Sequence, residues 1–137
     1  MKLNVNIFNR NAYDIDTAAI EALAHKIWMS EGERAASLNI IFVEDDVIKR
    51  LNKKYFNKNR TTDVIAFPLS ESGLDGFEGE IYVSVDSVSE NAAFYKVNLA
   101  EEMRRVVAHG LLHFLGYRDD TKEHKHRMTE RENYYLG

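Results

Sequence analysis

The first part of the chain has the apolar spacing of a strand, a helix and a second strand. Residues 2–8 alternate apolar and polar side chains, which predicts a strand with one buried face. Asp14 or Asp16 can cap a helix that runs to about residue 30 and ends at Gly32. Residues 37–43 predict a second strand. The apolar face of the helix consists of Ile20, Leu23, Ala24, Ile27 and Trp28.

A second helix and a third strand are predicted next. Asp45 or Asp46 can cap the helix. Residues 63–67 predict a short strand closed by Pro68, the only proline of the chain. Residues 69–79 contain three glycines and are predicted to form a loop. The apolar stripe of the second helix is Val47, Ile48, Leu51 and Tyr55.

Another strand and two helices follow the glycine-rich segment. Residues 80–85 alternate in polarity and predict a half-buried strand. Asp86 can cap a third helix. Asn98 followed by Glu101 resembles a capping box and predicts the start of a fourth helix over residues 99 to about 115. The core stripe of that helix is Met103, Val107, Leu111 and Phe114.

The predicted elements fit in one domain that covers residues 1–137. A charged helix over residues 121–135 is the last of them, so the order is βαβαββααα. Hairpin-like and crossover connections both occur in this order. We therefore expect an α+β fold with a mixed four-stranded sheet and about five helices.

Composition narrows the possible chemistry. The 137 residues include no cysteine, which excludes disulfides, thiolate nucleophiles and cysteine-bound zinc. Any metal must rest on imidazole, carboxylate and water, which favours an open hydrolytic site. The N-terminal residues lack the apolar core of a secretory signal, and no run approaches the length of a membrane span. We therefore expect a cytoplasmic protein that has no membrane partner.

One basic segment stands out against the formal net charge of −4. Residues 48–62 include no acidic side chain. A solvated helix face is the usual meaning of such a run, and a local phosphate-binding patch is the alternative. The basic residues are Lys49, Arg50, Lys53, Lys54, Lys58 and Arg60.

The strongest candidate site is a pair of histidines inside the fourth predicted helix. His109 and His113 are four residues apart, so their rings lie on one helical face, one turn apart. Two imidazoles in this arrangement can bind one tetrahedral ion, as in the H-E-x-x-H zinc helix. Gly110 occupies the place of the protease glutamate, which argues against a zinc peptidase.

A third ligand is expected from the turn after this helix. Gly110 is costly inside a helix, by about 1 kcal/mol relative to alanine, and indicates a close approach of another backbone or of a substrate. Gly116 can end the helix in the left-handed conformation. The chain would then bring Arg118, Asp119 and Asp120 towards the histidines. Three protein ligands and one water would complete a catalytic zinc site.

Four segments of the chain match the motifs of one known protein family. Residues 109–117, HGLLHFLGY, are similar to the signature H-G-x-L-H-x-x-G-Y-D-H. Residues 62–68, TDVIAFP, and 79–84, GEIYVS, resemble the segments T-D-V-L-S-F-P and G-D-I-x-I-S. Leu51, Asn52 and Tyr55 match the segment L-N-x-x-Y-R. The matches occur in the same order as in the YbeY family of endoribonucleases, which the chain therefore resembles over nearly its whole length.

The resemblance implies an α+β hydrolase with one Zn²⁺ bound by three residues of the signature. It also implies a metal-dependent endoribonuclease that prefers single strands and acts in ribosomal RNA maturation and ribosome quality control. The expected partners are single-stranded or ribosomal RNA and the ribosome or its proteins, whereas DNA is not expected.

The chain departs from the family pattern at two places. The third family histidine falls on Asp119, which we predict to be the third ligand, with Asp120 and His124 as alternatives. An oxygen ligand shifts the preference of the site towards harder ions such as manganese. Phe56 stands where the family has an arginine that is expected to hold phosphate. Arg60 is the first candidate to replace it, and Lys53 and Lys58 are the alternatives.

A zinc-bound water with a pKa near 7 would be the nucleophile of such an enzyme. Arg60 and Glu80 are the predicted catalytic side chains, Arg60 on phosphate and Glu80 as an acceptor near the ligands. Two other functions remain open at this point. One is a different metal-dependent hydrolase such as a peptidase, and the other is a ribosome-associated binding module whose metal is mainly structural.

Overall fold

The computed structural model describes residues 3–31, 35–72 and 76–137. Three residues named in the sequence predictions lie outside these ranges: Lys2, Gly32 and the first loop glycine, Gly73. None of the helices in the described ranges is long and apolar enough to cross a lipid bilayer.

The observed elements follow the predicted order βαβαββααα. The strands are β1 (Leu3–Asn9), β2 (Ala36–Val43), β3 (Val64–Ser72) and β4 (Gly76–Ser84). The helices are α1 (Thr17–Glu31), α2 (Asp45–Phe56), α3 (Val85–Tyr95), α4 (Leu99–Phe114) and α5 (Lys122–Leu136).

The strands form one mixed sheet in the order β1-β2-β4-β3, which confirms the predicted α+β fold. β1 pairs with β2, and β2 with β4, in parallel. β3 and β4 form an antiparallel hairpin, so β3 is an edge strand. α1 connects two parallel strands, as a crossover must.

Alternate residues of the strands supply two separate cores on the two faces of the sheet. On β4, Ile81 and Val83 belong to the main core with α1, α4 and α5, whereas Tyr82 packs on a smaller core beneath α2. Ile48 of α2 is at the centre of the smaller core. The histidine-bearing helix α4 therefore lies on the face of the sheet opposite to α2.

The hairpin is longer than its composition predicted. Residues 69–72 and 76–79, expected to be loop, belong to β3 and β4, and all of them except Leu69 are paired across the hairpin. Pro68 lies within β3 rather than closing it. A proline fits there because an edge strand leaves some N–H groups unpaired, and the pairing shifts register between Pro68 and Ser70.

Helix caps were predicted with mixed success. Asp16 accepts the amide of Ala19, and Asn98 accepts the amide of Glu101, as expected. The predicted caps of the second and third helices are wrong by one or two positions, because Glu44 and Ser84 hold them. The carboxylate of Asp45 instead accepts hydrogen bonds from neighbouring hydroxyls, namely those of Thr61, Ser84 and Ser87.

Two glycines allow α4 to pack closely on the sheet. A Cβ atom on Gly110 would lie 3.2 Å from Cδ1 of Ile81 in β4. A Cβ atom on Gly79 of β4 would lie 2.8 Å from the ring of Phe114 in α4. The close approach at Gly110 is therefore made by a core side chain of β4, and not by the backbone or substrate that the sequence predicted. This contact fixes how deep the histidine-bearing helix sits.

We predict that Gly79→Ala lowers the free energy of unfolding by about 1–3 kcal/mol, the usual effect of overpacking a core. The added methyl group would also lie 2.7 Å from the ring of Phe77, so two rings must move. Urea denaturation measures the change. Glu78→Ala is the control, since Glu78 is exposed on the same strand, and its effect should stay within about 0.5 kcal/mol. Equal midpoints for both variants would contradict the close packing.

Candidate metal centre and cleft

The last turns of α4 place His109 and His113 side by side. Their ring centroids are 4.6 Å apart, and their Nε2 atoms are 3.1 Å apart. Both rings are partly exposed, with 27% and 34% of the side-chain surface open to solvent. The structure thus brings the two imidazoles together on one helical face, as their spacing predicted.

The turn after α4 carries Asp119 back to the histidines. Gly116 adopts the left-handed conformation at φ +99°, and the two backbone hydrogen bonds of a Schellman cap close the helix. Oδ2 of Asp119 lies 3.2 Å from Nε2 of His109 and 3.3 Å from Nε2 of His113. In the described ranges, these three residues form the group of potential metal ligands.

The two alternative third ligands point elsewhere. Nδ1 of His124 and Oδ1 of Asp120 are 2.6 Å apart, which joins these two residues to each other. Arg118 also hydrogen-bonds Asp120. Of the three candidates, Asp119 is therefore the one that reaches the histidine pair.

A buried carboxylate from α5 orients the first histidine. Oε2 of Glu132 lies 2.7 Å from Nδ1 of His109, and its side chain is 7% exposed. Arg105 contacts the other oxygen of Glu132 at 3.1 Å. Sequence reasoning missed Glu132, although it is an acidic residue in the buried stripe of α5 that contains Met128 and Tyr135.

The donor set suits a divalent cation. A carboxylate accepts hydrogen bonds, so Nδ1 of His109 donates to Glu132, and Nε2 of the neutral ring carries a lone pair. That lone pair, Nε2 of His113 and an oxygen of Asp119 converge on one point. Their separations of 3.1–3.3 Å are close to the roughly 3.3–3.4 Å between ligands of tetrahedral zinc with bonds of about 2.0–2.1 Å.

The surroundings of His109 favour positive charge. Burial alone lowers the pKa of His109. The hydrogen bond that His109 donates to Glu132 and the charges of Glu132, Asp119 and Asp63 outweigh this effect and raise the pKa above its ordinary value. The same carboxylates that retain a proton on this ring would stabilise a metal ion bound to it.

Asp63 is a second residue that sequence reasoning did not assign to the site. It precedes β3 and lines the clefts on both sides of His109. Burial raises the pKa of its carboxyl, although the neighbouring His109 opposes the change. Nδ2 of Asn91 donates a hydrogen bond to it at 3.2 Å. The sequence signal that could have assigned Asp63 to the site is that it is the aspartate of the segment T-D-V, which resembles a family motif.

The candidate ligands line a cleft of about 680 Å³ that also contains part of the basic segment. Lys58 and Arg60 line this cleft together with His109, His113 and Asp119. The cleft runs along the edge strand β3. Two cations and three potential ligands therefore share one open groove, as the phosphate-patch interpretation of the basic segment requires.

Glu80, predicted as a catalytic side chain, does not lie near the histidines. Ile81 contacts Gly110 of α4, so its neighbour Glu80 points to the other face of the sheet. There it contacts Tyr82 at 3.2 Å and Asn39 at 3.5 Å. Strand alternation therefore places Glu80 away from the predicted ligands. Glu132 is instead the acceptor that contacts one of them, His109.

The chain is similar to known proteins of one family. The sequence model of the family described as "Endoribonuclease YbeY" matches residues 6–137. A protein of that name from Amoebophilus asiaticus is 37% identical over 112 residues, which cover 82% of this chain and 76% of the relative. Another from Chlorobaculum parvum is 34% identical over 132 residues, which cover 96% of this chain and 92% of that relative. The solution structure of the Thermotoga maritima protein TM1509 matches with a TM-score of 0.68 at 29% identity, covering 96% of this chain and 86% of that one.

We predict that zinc stabilises the protein through these three ligands. Zinc at 100 times its dissociation constant should add about 2.7 kcal/mol to the free energy of unfolding. His113→Ala and Asp119→Ala should abolish or greatly reduce this gain, as measured by thermal unfolding with and without zinc. His126→Ala is the control, since His126 is exposed on α5. Full stabilisation of Asp119→Ala would exclude Asp119 as a ligand.

We predict that Glu132→Gln weakens zinc affinity by about 10- to 100-fold, the usual effect of removing an outer carboxylate. The glutamine side chain keeps the shape of glutamate, but its neutral amide no longer places a negative charge next to Nδ1 of His109. Competition with a chromogenic chelator measures the affinity. Glu130→Gln, an exposed change on the same helix, should leave it unaltered, and equal affinities for the two variants would rule out this role of Glu132.

Proposed function

This chain belongs to the YbeY endoribonuclease family, and we propose that it is a zinc-dependent endoribonuclease that cuts single-stranded segments of ribosomal RNA. The observation that carries the proposal is the shared cleft, in which two cations lie beside the converging side chains of His109, His113 and Asp119. Hydrolysis of a phosphodiester requires a nucleophile and stabilisation of the charge on phosphorus oxygens. The cleft has groups suited to each requirement.

The three ligands would hold the metal, and Glu132 would fix the first of them. A bound zinc ion lowers the pKa of water to about 7 and polarises a phosphoryl oxygen. Glu132 keeps the proton of His109 on Nδ1, so that Nε2 faces the cleft. Asp119 adds a negative charge, and its oxygen makes manganese a possible alternative ion.

Arg60 and Lys58 would bind the phosphates of the substrate. Neither forms an ion pair with any residue that the structure describes, whereas Arg50, also in the basic segment, pairs with Asp46. Arg60 is fixed through its backbone, because its carbonyl accepts the side-chain amide of Asn52 at 2.9 Å. With its backbone held at the cleft, Arg60 can supply a guanidinium in place of the family arginine for which this chain has Phe56.

The open geometry of the site favours catalysis over the two other functions considered. A purely structural zinc site uses four protein ligands and is closed. Here three side chains converge, and Asp119 remains 42% exposed. Gly110 lies where zinc peptidases have their glutamate, and the cations suit an anionic substrate better than a peptide. We place the action of the enzyme in the cytoplasm, in ribosomal RNA maturation and ribosome quality control, with the ribosome or its proteins as partners.

We predict that removing the metal abolishes RNA cleavage. A chelator or His113→Ala should reduce the rate on a single-stranded RNA by at least roughly 100-fold, because the metal contributes several kcal/mol of transition-state stabilisation. Adding zinc back should restore the chelated wild type but not the variant. An unfolded, labelled protein serves as the peptidase control. Cleavage that persists in metal-free protein would contradict the mechanism.

We predict that Arg60→Ala weakens RNA binding and reduces its salt dependence. One lost contact with a phosphate should reduce the slope of log affinity against log salt by about 0.7 for a single strand. Arg50→Ala removes a cation from the same segment but outside the cleft, so its slope should match that of the wild type. An unchanged slope for Arg60→Ala would remove Arg60 from the phosphate contacts.

A further inference from the structure

We propose that Phe56 forms a stacking platform for one unpaired base of the RNA, at the rim of the metal-bearing cleft. This inference rests on the proposed function and names the group by which a single strand is selected. Phe56 is the last residue of α2 and lines the cleft that contains His109, His113 and Asp119.

The ring of Phe56 is held in place on one side and open on the other. It stacks on Phe67 of β3 with the ring centroids 5.9 Å apart and the planes 13° from parallel. Tyr55 contacts the edge of the same ring of Phe67, at 5.2 Å. Phe56 nevertheless remains 47% exposed. The packing on Phe67 therefore leaves apolar surface of this ring uncovered, and that surface lines the cleft.

The neighbouring backbone fixes the ring relative to the cations. Asn57 ends α2 in the left-handed conformation, at φ +53°. The amide of Lys58 donates to the carbonyl of Asn52 at 3.1 Å, and the side chain of Asn52 donates to the carbonyl of Arg60. Asn52 is buried. One buried asparagine therefore anchors the segment that follows Phe56, and the aromatic surface and both cations are present before any substrate binds.

The charges beside the ring identify its occupant. Lys58 and Arg60 have no ion pair among the residues that the structure describes. An aromatic surface next to two such cations fits a nucleic-acid strand, whose bases stack while its phosphates bind Lys58 and Arg60. An apolar peptide segment would fill the aromatic surface but leave both cations without partners. In a duplex, each base face is already covered by its neighbours, so the platform favours RNA that is single-stranded.

Stacking and phosphate binding can be separated with three oligomers of equal length. They are oligo(A), oligo(U) and an abasic ribose-phosphate chain, all with 2′-O-methyl groups, and gels verify that they stay intact during each measurement. Binding is measured to the full-length, metal-loaded protein. The wild type should bind both base-bearing oligomers more tightly than the abasic chain, by roughly 5- to 150-fold for one stacked base. It should also bind oligo(A) more tightly than oligo(U).

Variants at position 56 test the platform directly. Phe56→Leu keeps apolar contact with Phe67 but has no ring, so it should remove most of the preference for base-bearing oligomers. Phe56→Trp should keep or increase that preference. Arg60→Ala should weaken binding to all three oligomers by the same factor, because each carries the same phosphates. Phe94→Ala is the control, since Phe94 is an exposed phenylalanine of α3 that does not line the cleft.

The outcomes separate failure of the platform from failure of the proposed function. If Phe56→Leu binds all three oligomers as the wild type does, the platform is excluded while RNA binding stands. If Phe56→Leu instead loses affinity for an unfolded apolar peptide and not for RNA, the surface is a peptide site and the inference is overturned. If the wild type binds none of the three oligomers, both the platform and the proposed function fail.

Discussion

Close contact between α4 and β4 determines where every candidate ligand lies. At Gly110 the helix touches Ile81, and at Gly79 the strand makes room for the ring of Phe114. Because the helix is fixed at this depth, its last turns bring His109 and His113 to the mouth of a cleft along β3. The turn that follows and the packing of α5 then need to supply one carboxylate each. A change in this contact would move both histidines with the helix.

Charge around the histidines is the second constraint. Asp119 and Glu132 flank His109, and Asp63 lies nearby with its pKa raised by burial. Arg105 neutralises part of this charge by pairing with Glu132. The remaining negative charge and the converging lone pairs make a cation the natural occupant of the centre. Lys58 and Arg60 line the same cleft and carry the opposite charge, which suits the phosphates of the proposed substrate.

Local spacing predicted what depends on local geometry. The element order and the facing of His109 and His113 follow from helical and strand periods. The turn that a glycine permits predicted a ligand among the residues after Gly116, and the resemblance to the family selected Asp119 among them. The hairpin was predicted too short because Pro68 and the glycines resemble a loop, although an edge strand accepts them. Glu132 was missed because it is 23 residues from His109 along the chain and meets it only when α5 packs on α4. The position of Glu80 could not be predicted, because the alternation of side chains along β4 does not show which face of the sheet packs against α4.

The most direct test of the account is a crystal structure grown with zinc and measured on both sides of the zinc absorption edge. The account predicts one anomalous peak per chain at about 2.0–2.1 Å from Nε2 of His109 and His113 and from a carboxylate oxygen of Asp119. Glu132 should remain on Nδ1 of His109. A peak bound instead by Asp120 or His124, or no peak at the histidine pair, would contradict the account.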